Sequence, residues 1–238
     1  MISPKKQGRK RFYSEATFSE GAGGFIVQLD KKPIKTPAGK PLLLPAKALA
    51  QAIAEEWDEQ GAQIVIDSLR MTKLANSAID GVCGQEEAVV EDIVRYAGSD
   101  LVCYRAEIPA VLAAKQAAIW DPILEWAAER FAASFNVTEG IRHIQQPAAP
   151  LECLRIALRK LNPFALTAFH AMTGITGSAL LAFAHAEGRL DMDSAWHAAH
   201  LDEDWQASRW GEDYEARIAK ERRHEEMKAA SRFYSFAD

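Results

Sequence analysis

From Leu161 to Ala186 the chain carries no Asp, Glu, Lys or Arg. An uncharged run of that length can span a bilayer, so it forces a choice between a membrane helix and a buried core. Its composition decides for the core. The run holds Asn162, Pro163, His170, His185, three threonines and Ser178, and much of the rest is alanine, which contributes little to insertion. "TGITGS" interrupts it at Gly174 to Gly177, so it reads as two consecutive buried helices. Histidines inside such helices are expected as hydrogen-bonded core residues.

A chain of 238 residues can enclose such cores in one large domain or two modest ones. Its 48% hydrophobic and 26% charged residues are those of an ordinary soluble globular protein. A net charge of −5 argues against broad nucleic-acid binding, which needs a basic face. The basic exception, "SPKKQGRKR", is too short and too polar for a signal peptide and is expected as a solvated tail over residues 1–11. Cys83, Cys103 and Cys153 are odd in number and far apart, and no CxxC occurs. They suggest neither a zinc site nor a disulfide framework, which fits a reducing cytoplasm.

Strand signals fill the first third. "RFYSEATFSE" is closed by "GAGG", and "FIVQLD" places Phe25, Val27 and Leu29 on one face. "GAGG" precedes a strand and not a helix, so it reads as a hairpin turn and not as a phosphate loop. "DKKP" and "TPAGKPLLLP" supply further turns and a short strand. Pro45 then opens a helix with Ala46, Leu49, Ile53 and Trp57 along one stripe, and "AQIVI" returns to the sheet. The fold class is α+β: a small N-terminal α+β domain with antiparallel strands over residues 1–68, then a larger all-α helical bundle over 69–238.

Within that bundle, helices are predicted over "QEEAVVEDIVRYAG", from Asp121-Pro122, over "PLECLRIALRKL" and from Asn162-Pro163. Asp191 is expected to cap one last long helix running toward residue 228.

Chemistry is sought first in "HAAHLDEDWQASRWGEDYE", residues 197–215. His197 and His200 stand one helical turn apart, with Glu203 or Asp204 a turn further on, a geometry that zinc or iron could use in a metal-dependent enzyme. The pattern lacks HExxH, and neither a nucleophile elbow nor a Ser-His-Asp spacing is visible, so no catalytic or metal-binding residue is assigned. The acids say more. Asp202, Glu203, Asp204, Glu212, Asp213 and Glu215 face a single arginine, Arg209. Leu201, Trp205, Ser208, Glu212 and Glu215 fall on one side of a continuous helix. That stripe is either a core seam whose far end emerges into water, or a binding surface. In the second case Trp205 and Trp210 would be the anchors and the acids would select a basic partner.

The same residues carry a resemblance. "GFIVQLDKKPIKTPAGKPLLLP", "AEEWDEQ" with Trp57 and Gln60, "MTKLANSAID", "DLVCYR", "WDPILEW", "GSALLAFA" and "LDEDWQASRWGEDYEA" occur in order over nearly the whole chain. In this it resembles the chaperones that assemble the F1 sector of ATP synthase by acting on its α subunit, known in mitochondria and α-proteobacteria. The resemblance implies a binding protein without enzymatic activity, cofactor, small-molecule substrate or membrane span. It would be cytoplasmic in a bacterium and in the mitochondrial matrix for eukaryotic relatives. Its relatives hold the unassembled α subunit over the apolar surface that later meets β, and β displaces them. A general interaction scaffold is the remaining alternative. The family's acidic positions fall here on Glu212, Asp213 and Glu215, with Glu215 the foremost, while Tyr214 stands where the family pattern carries an acid. Trp57, on its apolar stripe, is assigned to folding, and Gly177-Ser178 to a close approach of two helices.

Overall fold

The computed structural model describes residues 9–132 and 134–237. The N-terminal part contains β1 (Arg9–Lys10), β2 (Ala16–Gly21), β3 (Gly24–Leu29), β4 (Lys32–Pro33), β5 (Leu43–Leu44), helix α1 (Lys47–Asp58) and β6 (Gln63–Ile64). β2 and β3 form an antiparallel hairpin in register from Ala16↔Leu29 to Gly21↔Gly24, and β4 and β5 pair with the opposite edge of β3. Gly24 makes the predicted turn tight. Its φ is +152°, and a Cβ there would collide with the carbonyl oxygen of Leu44. Val27 and Leu29 point inward, as the alternation predicts, and Val27 shares a core with Leu49 and Ile53 of α1.

The basic stretch differs from expectation where it is described. Residues 1–8 lie outside the described residues, but Arg9 and Lys10 pair antiparallel with Ile64 and Gln63. Arg11 follows them into the fold. Its guanidinium donates to the carbonyl oxygens of Asp58 (2.9 Å) and Gln60 (2.5 Å), groups that the end of α1 leaves without helical partners.

The helical part contains α2 (Arg70–Ser77), α3 (Glu86–Ala97), β7 (Tyr104–Arg105), α4 (Ala110–Arg130), β8 (Thr138–Glu139) and α5 (Ala148–Leu158). It continues with α6 (Pro163–Thr176), α7 (Ala179–Ala186), α8 (Met192–Ala199), α9 (Leu201–Trp210) and α10 (Tyr214–Ala237). A small strand-bearing region thus precedes a mostly helical one, with β7 and β8 adding a two-residue parallel pair. α6 and α7 are the uncharged run, and among the described residues no helix is long and apolar enough to cross a membrane. Asn162 caps α6 by accepting from the N–H of Phe164 (2.9 Å) and Ala165 (3.0 Å), with Pro163 in the first turn. The hydroxyls of Thr167, Thr173 and Thr176 donate to carbonyls of Pro163, Phe169 and Met172, so these buried threonines are satisfied within their own helix.

Two sequence readings are corrected here, and one helix is added. Asp121-Pro122 does not start a helix but lies inside α4. Pro122 faces solvent, so the carbonyl freed by its missing N–H can turn to water while Trp120, Ile123 and Ala127 keep the helix on the core. α2 escaped the periodicity, being only eight residues long. The expected last long helix is three helices. It breaks at His200 (φ −110°, ψ 17°), where Asp202, Glu203 and Asp204 favour a new helix N-terminus, and again at Gly211 (φ 84°, ψ 164°).

The core is shared between the two parts. Val27, Leu44 and Ile53 of the first pack with Ala165 and Ala168 of α6 and Phe233 of α10. A larger cluster around Trp120, Phe169, Met172 and Phe183 lies wholly in the helical part.

Candidate docking surface

α9 and α10 make a helical hairpin, joined by ion pairs from Lys220 to Asp204 and from Arg223 to Glu203. Residues 211–216 are exposed without exception. The carboxylates that look equivalent in sequence are not equivalent in space. Asp202 accepts from the buried Gln116 of α4 at 2.7 Å, Glu203 pairs with Arg223 at 2.8 Å, and Asp204 pairs with Lys220. These three tie α9 to α4 and to α10. Asp213 accepts the N–H of Ala216 at 3.0 Å and caps α10. Glu212 and Glu215 are exposed at the tip and have no ion-pair or side-chain hydrogen-bond partner among the described residues. The single helical stripe from Leu201 to Glu215 therefore does not exist, because Gly211 ends it.

The two tryptophans part in the same way. Trp205 is 9% exposed, its ring flanked by Lys115 (5.0 Å) and Arg209 (4.7 Å), so it serves packing between α4 and α9. Trp210 is 79% exposed and Tyr214 69%, with Ile218 one turn beyond. Tyr214, which departs from the expected acid, gives the tip a second aromatic. An exposed aromatic pair beside unpaired carboxylates can bury apolar area while favouring a cationic partner.

The histidines do other work. His200 is buried, stacks on Trp196 with ring centroids 3.6 Å apart, and bonds through Nδ1 to the Trp196 carbonyl. Burial holds its pKa below the ordinary value, so it is neutral at pH 7. His197 lies 3.8 Å from Asp204, on the far side of the break from α9. Among the described residues no three His, Cys, Asp or Glu side chains converge as a metal site.

Trp57 and Gln60 serve the joint between α1 and α2. The indole N–H of Trp57 donates to Thr72 Oγ1 at 3.0 Å. Gln60, 8% exposed, donates to Ser68 and accepts from the Val65 N–H at 2.8 Å. Glu56, which no sequence signal singled out, accepts from the N–H of Met71 (2.8 Å) and Thr72 (2.9 Å) and so caps α2 from another helix. Its pKa is raised by burial against those bonds. The backbone comes close at Gly177, whose carbonyl accepts the Leu101 N–H at 3.2 Å, but that approach is not what requires glycine. Nothing lies within 4 Å of a Cβ built on it, and its φ of +67° shows that it is glycine for a left-handed cap of α6. Ser178 caps α7, its Oγ accepting from Leu181 N and donating to Asp100 Oδ1 at 2.5 Å. Asp100, fully buried, was also missed, although its place before "LVC" suits a cap.

Residues 10–128 match the family model of the ATP12 chaperone protein. The chain belongs to that family. It is 26% identical over 206 residues to the mitochondrial protein atp12 of Schizosaccharomyces pombe, covering 81% of this chain and 70% of that one. Its fold is similar to the crystal structure of Atp12 from Paracoccus denitrificans at a TM-score of 0.90, with 38% identity over 97% of this chain and 99% of that one. The Atu1473 protein of Agrobacterium tumefaciens is similar at a TM-score of 0.93, with 44% identity over 96% and 86% of the two chains.

Proposed function

We propose that this chaperone acts in assembly of the F1 sector of ATP synthase by holding the unassembled α subunit. It does so through the α9–α10 tip until the β subunit displaces it. The observation that carries this reading is the division of the acids. Asp202 is engaged by α4, and Glu203, Asp204 and Asp213 are engaged within the hairpin, while Glu212 and Glu215 have no ion-pair partner among the described residues and stand beside Trp210 and Tyr214. A folded hairpin held by internal ion pairs presents those four side chains at little ordering cost, which favours binding. The surface of an obligate ring interface is apolar and aggregates when unpaired, so a cover for it needs aromatic anchors. A cover that must leave again is served by exposed charge, which tunes association more than residence. The activity needs no catalysis and no cofactor, and in a bacterium it belongs in the cytoplasm.

Co-expression with the F1 α subunit of the same organism tests the reading, scored by soluble α and a co-eluting complex, before and after addition of β. The expected result is rescue of α and release by β. Glu215→Lys and Trp210→Ala alter exposed side chains, so each should shift stability by no more than about 0.5 kcal/mol and yet weaken the complex at least tenfold. Insoluble α with no complex, or variants that bind as well as the parent, would overturn it.

A further inference from the structure

A groove of about 620 Å³ opens between the β3–β4 turn, the end of α1 and the start of α2. Its floor is apolar, built on Leu29, Ile34, Trp57, Ile64 and Leu69, and Phe12 and Ile66 stand at its walls 58% and 63% exposed. The polar groups of the floor are already engaged with one another. Tyr13 donates to the Trp57 carbonyl at 2.5 Å, Trp57 to Thr72, and Thr72 to Glu56 at 2.7 Å. A small polar ligand would find little there to orient it. Asn76 also borders the groove, but its Oδ1 is sealed from solvent and has no hydrogen-bond partner among the described residues.

The rim is basic, in a chain whose net charge is −5. Arg9, Lys32, Lys35 and Lys73 surround the groove against one carboxylate, Asp30, whose Oδ1 already accepts the N–H groups of Ser14 (3.0 Å) and Glu15 (3.1 Å). Lys73 meets Asp67 at 3.3 Å, while Lys32 and Lys35 have no ion-pair partner among the described residues. The hairpin tip and this groove thus have opposite charge.

We infer that the groove docks a second segment of the client protein: an extended stretch, apolar in the middle and flanked by acidic side chains that meet the basic rim. The inference rests on the proposed holding function and adds a second point of attachment to it. Two joined contacts of opposite sign orient a client in a way that either alone does not, and they multiply affinity through effective concentration.

The test places a photo-crosslinking amino acid at Ile66 in one full-length variant and at Trp210 in another, each mixed with unassembled F1 α. Cross-linked peptides are then mapped by mass spectrometry. Beside these, Lys32→Glu/Lys35→Glu is made and its fold checked by circular dichroism. The expected result is a cross-link from Ile66 to an apolar, acid-flanked stretch of α. The double variant should bind about tenfold more weakly at low salt, with the difference shrinking as salt rises. Cross-links from Trp210 alone, with the double variant binding normally, would overturn the groove and leave the hairpin reading standing. A cross-link from Ile66 to a second copy of this chain would overturn it in favour of self-association. Absence of any complex with the parent chain would remove both readings.

Discussion

Asp100 offers a sharp test of how the helical part is held together. Its carboxylate is fully buried and accepts from Ser178 Oγ, from the Leu180 N–H at 3.0 Å and from the Val102 N–H at 3.2 Å. Burial outweighs these bonds and pushes its pKa up to about 6. In the unfolded chain the group titrates near about 3.9. A folded-state pKa raised in this way means that the native protein binds more protons than the unfolded chain between about pH 4 and pH 6. The group's stabilising contribution is therefore full below the unfolded pKa and is lost as pH rises through the folded one. Two pKa units correspond to about 3 kcal/mol, of which about half is lost between roughly pH 5 and pH 7.5. Asp100→Asn removes the titration but keeps one acceptor oxygen. Losing an acceptor for one N–H should cost about 1–2 kcal/mol at pH 5, and the deficit should shrink by about 1 kcal/mol at pH 7.5, where the parent bears a buried charge. Urea unfolding of both proteins at the two pH values measures this. Equal differences at both pH values would refute the argument, since they would mean that Asp100 titrates like an exposed carboxylate.

Two further outcomes follow from the packing. Gly177→Ala places a side chain at φ +67° with open space around it, so only backbone strain acts, and it should cost about 1–2 kcal/mol in thermal or urea unfolding. A loss below a few tenths would show that the cap relaxes freely. Glu56→Ala leaves the N–H groups of Met71 and Thr72 without their acceptor. It should cost about 1–2 kcal/mol and speed hydrogen exchange at those amides, and unchanged exchange there would remove Glu56 from the α1–α2 joint.

Much of the fold was legible because its signals are local. The "GAGG" hairpin, Asn162-Pro163 at the head of α6 and Asp191 before α8 each fix backbone geometry within a few residues. The uncharged run at 161–186 likewise had to be buried, and α6 and α7 contribute Phe169, Met172 and Phe183 to the main core. Where a local signal had two meanings, the sequence misled. Asp-Pro at 121–122 is a helix start in isolation, but the core face of α4 holds the helix through it.

The candidate site was legible only as a composition. Six acids and two tryptophans between Asp202 and Glu215 mark the segment, and a one-dimensional pattern cannot say which of them are spent. Tertiary structure decides that. Gln116 lies 86 residues from Asp202, and Lys220 and Arg223 reach back across the turn at Gly211 to Asp204 and Glu203. The same holds for Asp100 with Ser178 and for Glu56 with α2, pairs joined only once helices distant in sequence meet. The sequence determined which segments could be helix, strand or turn, because propensity and periodicity act within a few residues. Which carboxylates became struts and which stayed free was decided by the fold, because desolvation and partner geometry do not exist before the helices pack.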